Sequence, residues 1–529
     1  MELSDVDLRT DGPVTRESWL GATALSYPRR PRTILGVLAR AVQLWPDAVA
    51  FVDEDGATAT YAEFASLVQG GVADLRGRGL RPGDRVAVAG RNRLDLAVAV
   101  FACAAARVIM VGLNTRLAAS EWAYMLRRGD VRLALGQHDL LDPLQAAAKE
   151  AGLDSDRVHT LELPQPLPVE PVEEPAEDET YQVVWTSGST GRPKGSQVLH
   201  RCSVHSGMSY QRILQLTPGE TTAVLFPLYY ISAMHAHVLP AMLGGATCVL
   251  VAGTDQGRWL DLLAAHQVAW AYAVPSWWSL ALRDKRLTGD HLPALRLVAA
   301  GGAPFPAELV AALRERFPAA QLLDVYGLSE THSPATILLD HEFATHAGST
   351  GRALPCMEIE IRDNDGNPVP PGTPGEIALR GSLVTTGYLD DPEATGESIV
   401  DGWFSSGDVG RLDEDGYLYL LDRKKDMINR GGHKVFSAEV ERVIRQLPGV
   451  ADVAVVATPD RTAGEAVAAV VVAGDGASLS PLEVKQWVRT RLADYATPGE
   501  VRFVRELPRN AVGKTDKPTI REWLSAGTG

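Results

Sequence analysis

Residues 186–195 read Thr-Ser-Gly-Ser-Thr-Gly-Arg-Pro-Lys-Gly. Before them, Tyr181-Gln182-Val183-Val184-Trp185 has the length and apolar content of a buried strand, and Ser196-Gln197-Val198 after them is apolar again. A strand end that opens into glycines, hydroxyls and one lysine suits a phosphate. Gly188 and Gly191 let backbone N–H groups approach an anion. Ser187, Ser189 and Thr190 supply further donors, and Lys194 adds a point charge. The common G-x-x-x-x-G-K-[ST] nucleotide loop is excluded, because its spacing needs glycine where Pro193 stands.

Other stretches carry chemistry that fits a nucleotide. Ala299-Ala300-Gly301-Gly302-Ala303-Pro304 follows the apolar run Leu295–Val298, and small residues at a strand end let a flat ring lie against backbone. In Asp324-Val325-Tyr326-Gly327-Leu328-Ser329-Glu330-Thr331, a tyrosine face can stack on a base. The carboxylate of Glu330 is of the type that holds Mg²⁺ beside a triphosphate. Gly402-Trp403-Phe404-Ser405-Ser406-Gly407-Asp408 ends in an aspartate able to accept two hydrogen bonds from a ribose diol. Pro508-Arg509-Asn510-Ala511-Val512-Gly513-Lys514-Thr515 places a lysine after a glycine near the C-terminus.

These strings, in this order, resemble the signatures of the AMP-forming adenylating superfamily: acyl- and aryl-CoA synthetases, peptide-synthetase adenylation domains and beetle luciferase. The loop matches T-S-G-[ST]-T-G-x-P-K-G at every fixed position, and the others resemble Y-G-x-[TS]-E, G-W-[FL]-x-[ST]-G-D and P-[RK]-x-x-x-G-K. The resemblance covers nearly the whole chain. It implies that Thr186, Ser187, Gly188, Ser189, Thr190, Gly191 and Lys194 bind ATP phosphates, and that Gly302, Ala303, Pro304, Tyr326, Gly327 and Ser329 border the adenosine. It gives Asp408 and Arg423 the ribose or phosphate, Glu330 and Thr186 the Mg²⁺, and Lys514 the catalytic ammonium. Thr186, Lys194 and Glu330 complete the catalytic set. Lys425 would be the interdomain hinge, and Gly431 with Gly432 would face the thiol. Tyr230, Met234, His235, Gly301, Gly327 and Thr331 would line the acyl pocket. Two positions depart from the pattern. Tyr230 stands where a gating histidine is common, and His433 where a glutamate is often found. His235 and His237 read either as helix-surface or packed histidines or as substrate contacts, and Trp277 with Trp278 either as core or as a wall of the same cavity.

The implied activity is adenylation of a carboxylic acid by ATP, then transfer to a thiol, with CoA the first choice. The alternative acceptors are a carrier-protein phosphopantetheine, an amine, or nitrite as in diazo-forming enzymes. A nucleotide-binding module without catalysis is disfavoured by the intact Glu330 and Lys514.

The elements that position these residues follow from patterning. Across 33–170, Ile34–Leu38, Ala62–Val68 and Leu94–Ala106 read as helices, and Arg85–Ala89 and Val108–Asn114 as strands. This rhythm predicts βαβ units and a helix-covered parallel sheet, and a second such pattern spans about 196–340. Short strands between Pro/Gly turns over 345–420 predict a small β-barrel-like unit, and the last hundred residues a separate α+β domain. The fold class is therefore α/β: a large N-terminal domain, 1–421, with two parallel α/β sheets and a small barrel (subdomains about 1–180, 181–340 and 341–421), and a mobile C-terminal lid, 422–529. Pro164–Glu179 reads as an extended, solvated linker.

A chain of 529 residues, 45% of them hydrophobic, can bury several cores. Its net charge of −15 argues against nucleic-acid binding. Cys103, Cys202, Cys248 and Cys356 form no C-x-x-C and read as reduced core residues of a cytoplasmic protein. The N-terminus shows no signal-peptide pattern. Thr221–Thr254 lacks Asp, Glu, Lys and Arg, but Pro227, Pro240, Gly244 and Gly245 divide it into a strand, a loop, a helix and a second strand rather than a membrane span.

Overall fold

Two sheets position the motifs. In the first, the strands stand in the order Lys194–Leu199, Thr180–Thr186, Ile109–Leu113, Arg85–Ala89, Leu133–Gly136 and Val158–Thr160. Parallel neighbours need long crossovers. Helices Leu94–Ala106, Ala119–Arg128 and Leu141–Ala151 supply them. The first pair, Thr180–Thr186 with Lys194–Leu199, is antiparallel, with Lys194 opposite Thr186. The sheet is therefore mixed rather than purely parallel, because a connection as short as residues 187–193 can only return the chain as a hairpin. In this computed structural model the described residues are 14–170, 173–186, 193–253, 256–474, 476–509 and 515–526.

The second sheet has nine strands. Gln321–Tyr326, Leu297–Gly301, Val268–Ala273, Thr221–Val224, Thr247–Leu250 and Val49–Val52 run parallel in that order, and antiparallel strands close both edges. In such sheets ligands gather beyond the carboxyl ends of the strands. Here those ends lead into 225–230, 302–304 and 327–331, the segments the sequence singled out. Strand Leu297–Gly301 reaches further than expected, so the turn begins at Gly302, whose φ of +75° favours glycine. Trp277 and Trp278 lie in the core beneath this sheet, and Trp278 Nε1 donates to the Ala299 carbonyl at 2.8 Å.

The uncharged stretch resolves into strand Thr221–Val224, a loop, a helix from Ile231 to Gly244 with a π-turn over Met234–Val238, and strand Thr247–Leu250. Among the described residues no helix is long and apolar enough to cross a membrane. All four cysteines are buried and free.

The Pro/Glu-rich linker is extended and largely exposed, but it is anchored, which corrects the reading of a merely solvated strap. A Cβ on Gly70 would stand 1.9 Å from the Gln165 carbonyl oxygen, so the strap lies directly on helix Tyr61–Gly77. Glu177 pairs with the buried Arg30 at 2.8 Å and Arg201 at 3.0 Å, and Glu17 pairs with the same two arginines. The Arg30 guanidinium beside Glu17 holds its carboxyl down at about 2. Glu177 in the strap is therefore a structural partner that shares two buried cations with Glu17.

The chain divides into two compact units. One comprises the residues up to Ile359 with Ala378–Ser405 and Gly416–Leu418. The other comprises Glu360–Ile377, Ser406–Asp415 and the residues from Tyr419 on. Between 357 and 423 the strands form one five-stranded sheet. In the second unit, long strands Val450–Asp460 and Gly464–Ala473 pair antiparallel with a register shift between Val450 and Asp452, and Glu500–Val504 joins the second of them in parallel. Helices Ser437–Arg445 and Pro481–Arg489 cover a Val-rich face, and Ser480 and Glu483 cap the second helix reciprocally.

Candidate active site

Hairpin strands Thr180–Thr186 and Lys194–Leu199 hold the two ends of the phosphate-loop motif together; residues 187–192 lie outside the described residues. The Thr186 hydroxyl donates to the Lys194 carbonyl at 3.4 Å and to Glu330 Oε1 at 3.5 Å. Thus Thr186, Lys194 and Glu330, 144 positions apart at most, meet at one place.

A residue the sequence reading missed completes this group. The Tyr388 hydroxyl donates to Glu330 Oε1 at 2.9 Å, and its ring lies 5.2 Å from Lys194 Nζ in cation–π geometry. Burial, then the neighbouring Glu330 charge, raises the Tyr388 phenol well above its ordinary range, so the hydroxyl keeps its proton and donates. Backbone contacts fix the segment: Thr385 N–H donates to the Glu330 carbonyl at 2.8 Å, and Leu389 N–H to the Gly195 carbonyl at 2.8 Å. Gly387, at φ +136°, could not be replaced, since a Cβ there would stand 2.4 Å from Thr395 Cγ2. Nothing in Thr385-Thr386-Gly387-Tyr388 carries a chemical signature, so no local signal could have found it.

Glu330 is only 7% exposed. It sits in the turn Ser329–Thr331, next to His332 and Ser333, both left-handed at φ +52° and +36°. Non-glycine residues adopt such angles at a cost that surrounding contacts offset. His332 supplies them, because Nδ1 donates to the Leu383 carbonyl at 2.9 Å and Nε2 accepts from Leu199 N–H at 3.1 Å. Burial drives the His332 imidazole down to about 3, which keeps it neutral for both roles. A carboxylate with one hydroxyl beside it fits a hard cation that takes few protein oxygens and fills its other positions with phosphate and water. Among the described residues no group of three or more His, Cys, Asp or Glu could hold a metal.

Gly302, Ala303 and Pro304 are exposed at the strand end, while Tyr326 is buried at 8% exposure and Gly327 packs against Ser333 and Pro334. Of the acyl-pocket set, Met234, His235 and Thr331 are fully buried, and Gly301 ends its strand. Tyr230 accepts from Asn114 Nδ2 at 2.9 Å and packs against Tyr229. His235 Nε2 meets the Ser203 hydroxyl at 2.9 Å and His237 Nδ1 the Thr222 hydroxyl at 2.7 Å. Neither is on the helix surface.

Within the second unit, Arg423 Nε lies 2.7 Å from Asp408 Oδ1. The pair sits on strands Trp403–Leu412 and Leu418–Arg423. Ser406 Oγ accepts from Asp408 N–H at 3.0 Å and Lys424 N–H donates to the Gly407 carbonyl at 2.9 Å. Lys425 is exposed, beside Asp426, which pairs with Arg521 at 2.5 Å. Gly431 and Gly432 form the tight turn between Ile428–Arg430 and His433–Val435, with φ +59° and +90°. The His433 ring stacks on Tyr495 at 4.5 Å and 8°. Lys514 lies outside the described residues.

Comparison with known proteins identifies the family. The family model described as AMP-binding enzyme matches residues 38–389, and that for the AMP-binding enzyme C-terminal domain matches 439–514. A feruloyl-CoA synthase of Amycolatopsis sp is 35% identical over 91% of this chain and 97% of its own length. ATP-bound MatB from Rhodopseudomonas palustris superposes with a TM-score of 0.84 at 27% identity, over 92% of this chain and 98% of that one. The o-succinylbenzoate CoA synthetase MenE from Bacillus subtilis, in complex with its acyl-adenylate OSB-AMP, gives 0.83 at 28% identity over 94% and 98%. The chain therefore belongs to the AMP-binding enzyme family, the AMP-forming adenylating superfamily, and is an AMP-forming acid–thiol ligase.

Proposed function

We propose that this ligase activates a small carboxylic acid as its acyl-adenylate and passes the acyl group to the thiol of CoA. The observation that carries the reading is the meeting of Thr186, Lys194, Tyr388 and Glu330 at the mouth of the phosphate-loop hairpin.

A carboxylate is a poor electrophile, since its leaving group would be oxide. Attack of a carboxylate oxygen on the α-phosphorus of ATP, with pyrophosphate leaving, converts it into a mixed anhydride. The obstacle is crowding of anions around that phosphorus. Glu330 and Thr186 would hold Mg²⁺, which would neutralise phosphate charge there. Lys194 supplies a fixed cation over the Tyr388 ring, and Lys514 a second from the C-terminal segment. Each well-placed group of this kind contributes about 10²–10³ in rate. Asp408 and Arg423 hold the ribose or phosphate. The domains we assign are 1–421 and a lid, 422–529, that turns about Lys425. The turn brings Gly431 and Gly432 to the thiol, which attacks the acyl carbon and expels AMP.

A second reading keeps adenylation and changes the acceptor to a carrier-protein phosphopantetheine, an amine or nitrite. It is favoured by the two departures from the family pattern, Tyr230 and His433. The test is a pyrophosphate-release screen over carboxylic acids, with and without CoA. Acid-dependent release that yields AMP and an acyl-CoA supports the first reading. Acid-dependent release whose acyl product forms only with another acceptor supports the second. Release indifferent to every acid defeats both.

A further inference from the structure

The strand face beside Gly301 and Gly327 is backed by a line of buried hydroxyls that neither the phosphate chemistry nor the sequence reading uses. Tyr272, on strand Val268–Ala273, is 3% exposed. A Cβ on Gly301 would stand 2.5 Å from its hydroxyl oxygen, so the missing side chain at 301 is the space that hydroxyl occupies. The Tyr272 and Tyr210 phenols are neighbours that perturb each other's ionisation. The Tyr210 hydroxyl in turn meets Ser333 Oγ at 3.0 Å. Ser333 belongs to the chain that packs under Gly327, where a Cβ would meet Ser333 Cα at 3.2 Å. The two glycines thus flank one cluster of buried hydroxyls.

His237 extends the polar layer. Its ring stacks over Tyr272 at 6.2 Å and 26°, and Thr222 occupies Nδ1. Its Nε2 is fully buried and has no partner among the described residues. Leaving such a group unpaired is costly, and a ligand polar atom would relieve that cost. Phe226 closes the other side of Tyr272 edge-on at 4.8 Å. Burial keeps the Tyr272 phenol protonated and the His237 ring neutral.

We propose that Tyr272, backed by Tyr210 and Ser333 and flanked by His237, forms the far wall of the acyl cavity and selects compact acids that carry a hydrogen-bonding group, such as a ring hydroxyl, opposite the carboxylate. The inference rests on the reading that Gly301 and Gly327 line that cavity. A long alkyl chain would have to displace a fully packed ring and leave the hydroxyls and His237 unpaired. A site built to bond a substrate hydroxyl discriminates strongly against the analogue lacking it, whereas an apolar wall does not.

The test uses two matched pairs, cinnamate with 4-hydroxycinnamate and benzoate with 4-hydroxybenzoate, together with dodecanoate. Pyrophosphate release and calorimetric binding are read for wild type, Tyr272→Phe and Tyr210→Phe. We expect wild type to favour the hydroxylated member of a pair by 10-fold or more and to reject dodecanoate. Tyr272→Phe should erase the preference while leaving the unsubstituted acid within about 3-fold, and Tyr210→Phe should weaken it. A general packing defect would lower both members equally. Wild-type turnover with no preference, or an equal loss on both members in both variants, overturns the proposal and leaves adenylation standing. Binding preference without any pyrophosphate release upholds the selector and defeats adenylation. Neither binding nor turnover of any of these acids except dodecanoate overturns it as well.

Discussion

Removing the Tyr388 hydroxyl isolates one bond at the centre of the site. Tyr388→Phe keeps the ring, and with it the cation–π contact to Lys194 at 5.2 Å and the backbone bonds that fix 385–389. It deletes only the donor to Glu330 Oε1 at 2.9 Å. The Thr186 hydroxyl at 3.5 Å is too distant to take over that role without moving. A hydrogen bond to a charged group is worth about 1.5–3 kcal/mol. If Glu330 is oriented by that bond when it holds Mg²⁺, kcat/KM for adenylation falls roughly 10- to 150-fold, and the Mg²⁺ concentration for half-maximal rate rises. Pyrophosphate release titrated against Mg²⁺ reads both effects. A double-mutant cycle with Glu330→Gln sharpens the result, because Tyr388→Phe should add little once the carboxylate is gone. Unchanged rate and Mg²⁺ requirement, or full additivity of the two substitutions, would refute the positioning role.

Other perturbations follow from the same geometry. Asp408→Asn neutralises and Arg423→Ala removes one side of the 2.7 Å pair proposed to hold the ribose, and each should raise KM for ATP at least 10-fold with a smaller effect on KM for the acid, read by initial rates. Lys514→Ala should abolish adenylate formation but largely spare thiolysis of pre-made adenylate, and equal loss of both half-reactions in rapid-quench experiments would reject its role. Burial lowers the imidazoles of His200 to about 4 and of His205, His237 and His332 to about 3. The unfolded chain binds protons at these sites below its ordinary histidine range near 6.5 while the folded chain does not. Stability is therefore fully present above about pH 6.5 and is lost as pH falls from there towards 3, by up to about 1.4 kcal/mol per pH unit for each histidine. Chemical denaturation at pH 7.5, 6 and 5 should show this slope, and His237→Asn should reduce it. A flat stability profile over that range would contradict the buried-histidine assignment.

What could be read from the chain in advance was whatever local patterning or a contiguous string controls. The strands Arg85–Ala89 and Ile109–Leu113, the helix Leu94–Ala106 and the broken uncharged stretch 221–254 all follow from the spacing of apolar residues. The residues 186, 194 and 330 carried signatures and meet in space. Tyr388 did not, because its role depends on a strand pairing that brings residues 385–389 against 195–197, and no residue type announces that. Tyr272 was invisible for a related reason: an aromatic inside an apolar strand reads as core until a neighbouring glycine, 301, exposes its hydroxyl's position. The strap 164–179 was misjudged because composition reports solvation and not the buried Arg30 and Arg201 that wait for its carboxylates. The antiparallel pair 180–186 and 194–199 was missed because helix–strand rhythm describes the crossovers and not the one hairpin that carries the phosphate loop.

The most direct test of the chemistry follows oxygen. An acid that supports pyrophosphate release, labelled with ¹⁸O in both carboxylate positions, is turned over once with ATP and CoA, and the nucleotide product is weighed by mass spectrometry. Attack of the carboxylate on the α-phosphorus predicts AMP carrying one ¹⁸O, with unlabelled pyrophosphate. Label in inorganic phosphate with ADP as the nucleotide, or AMP without label, would contradict the account.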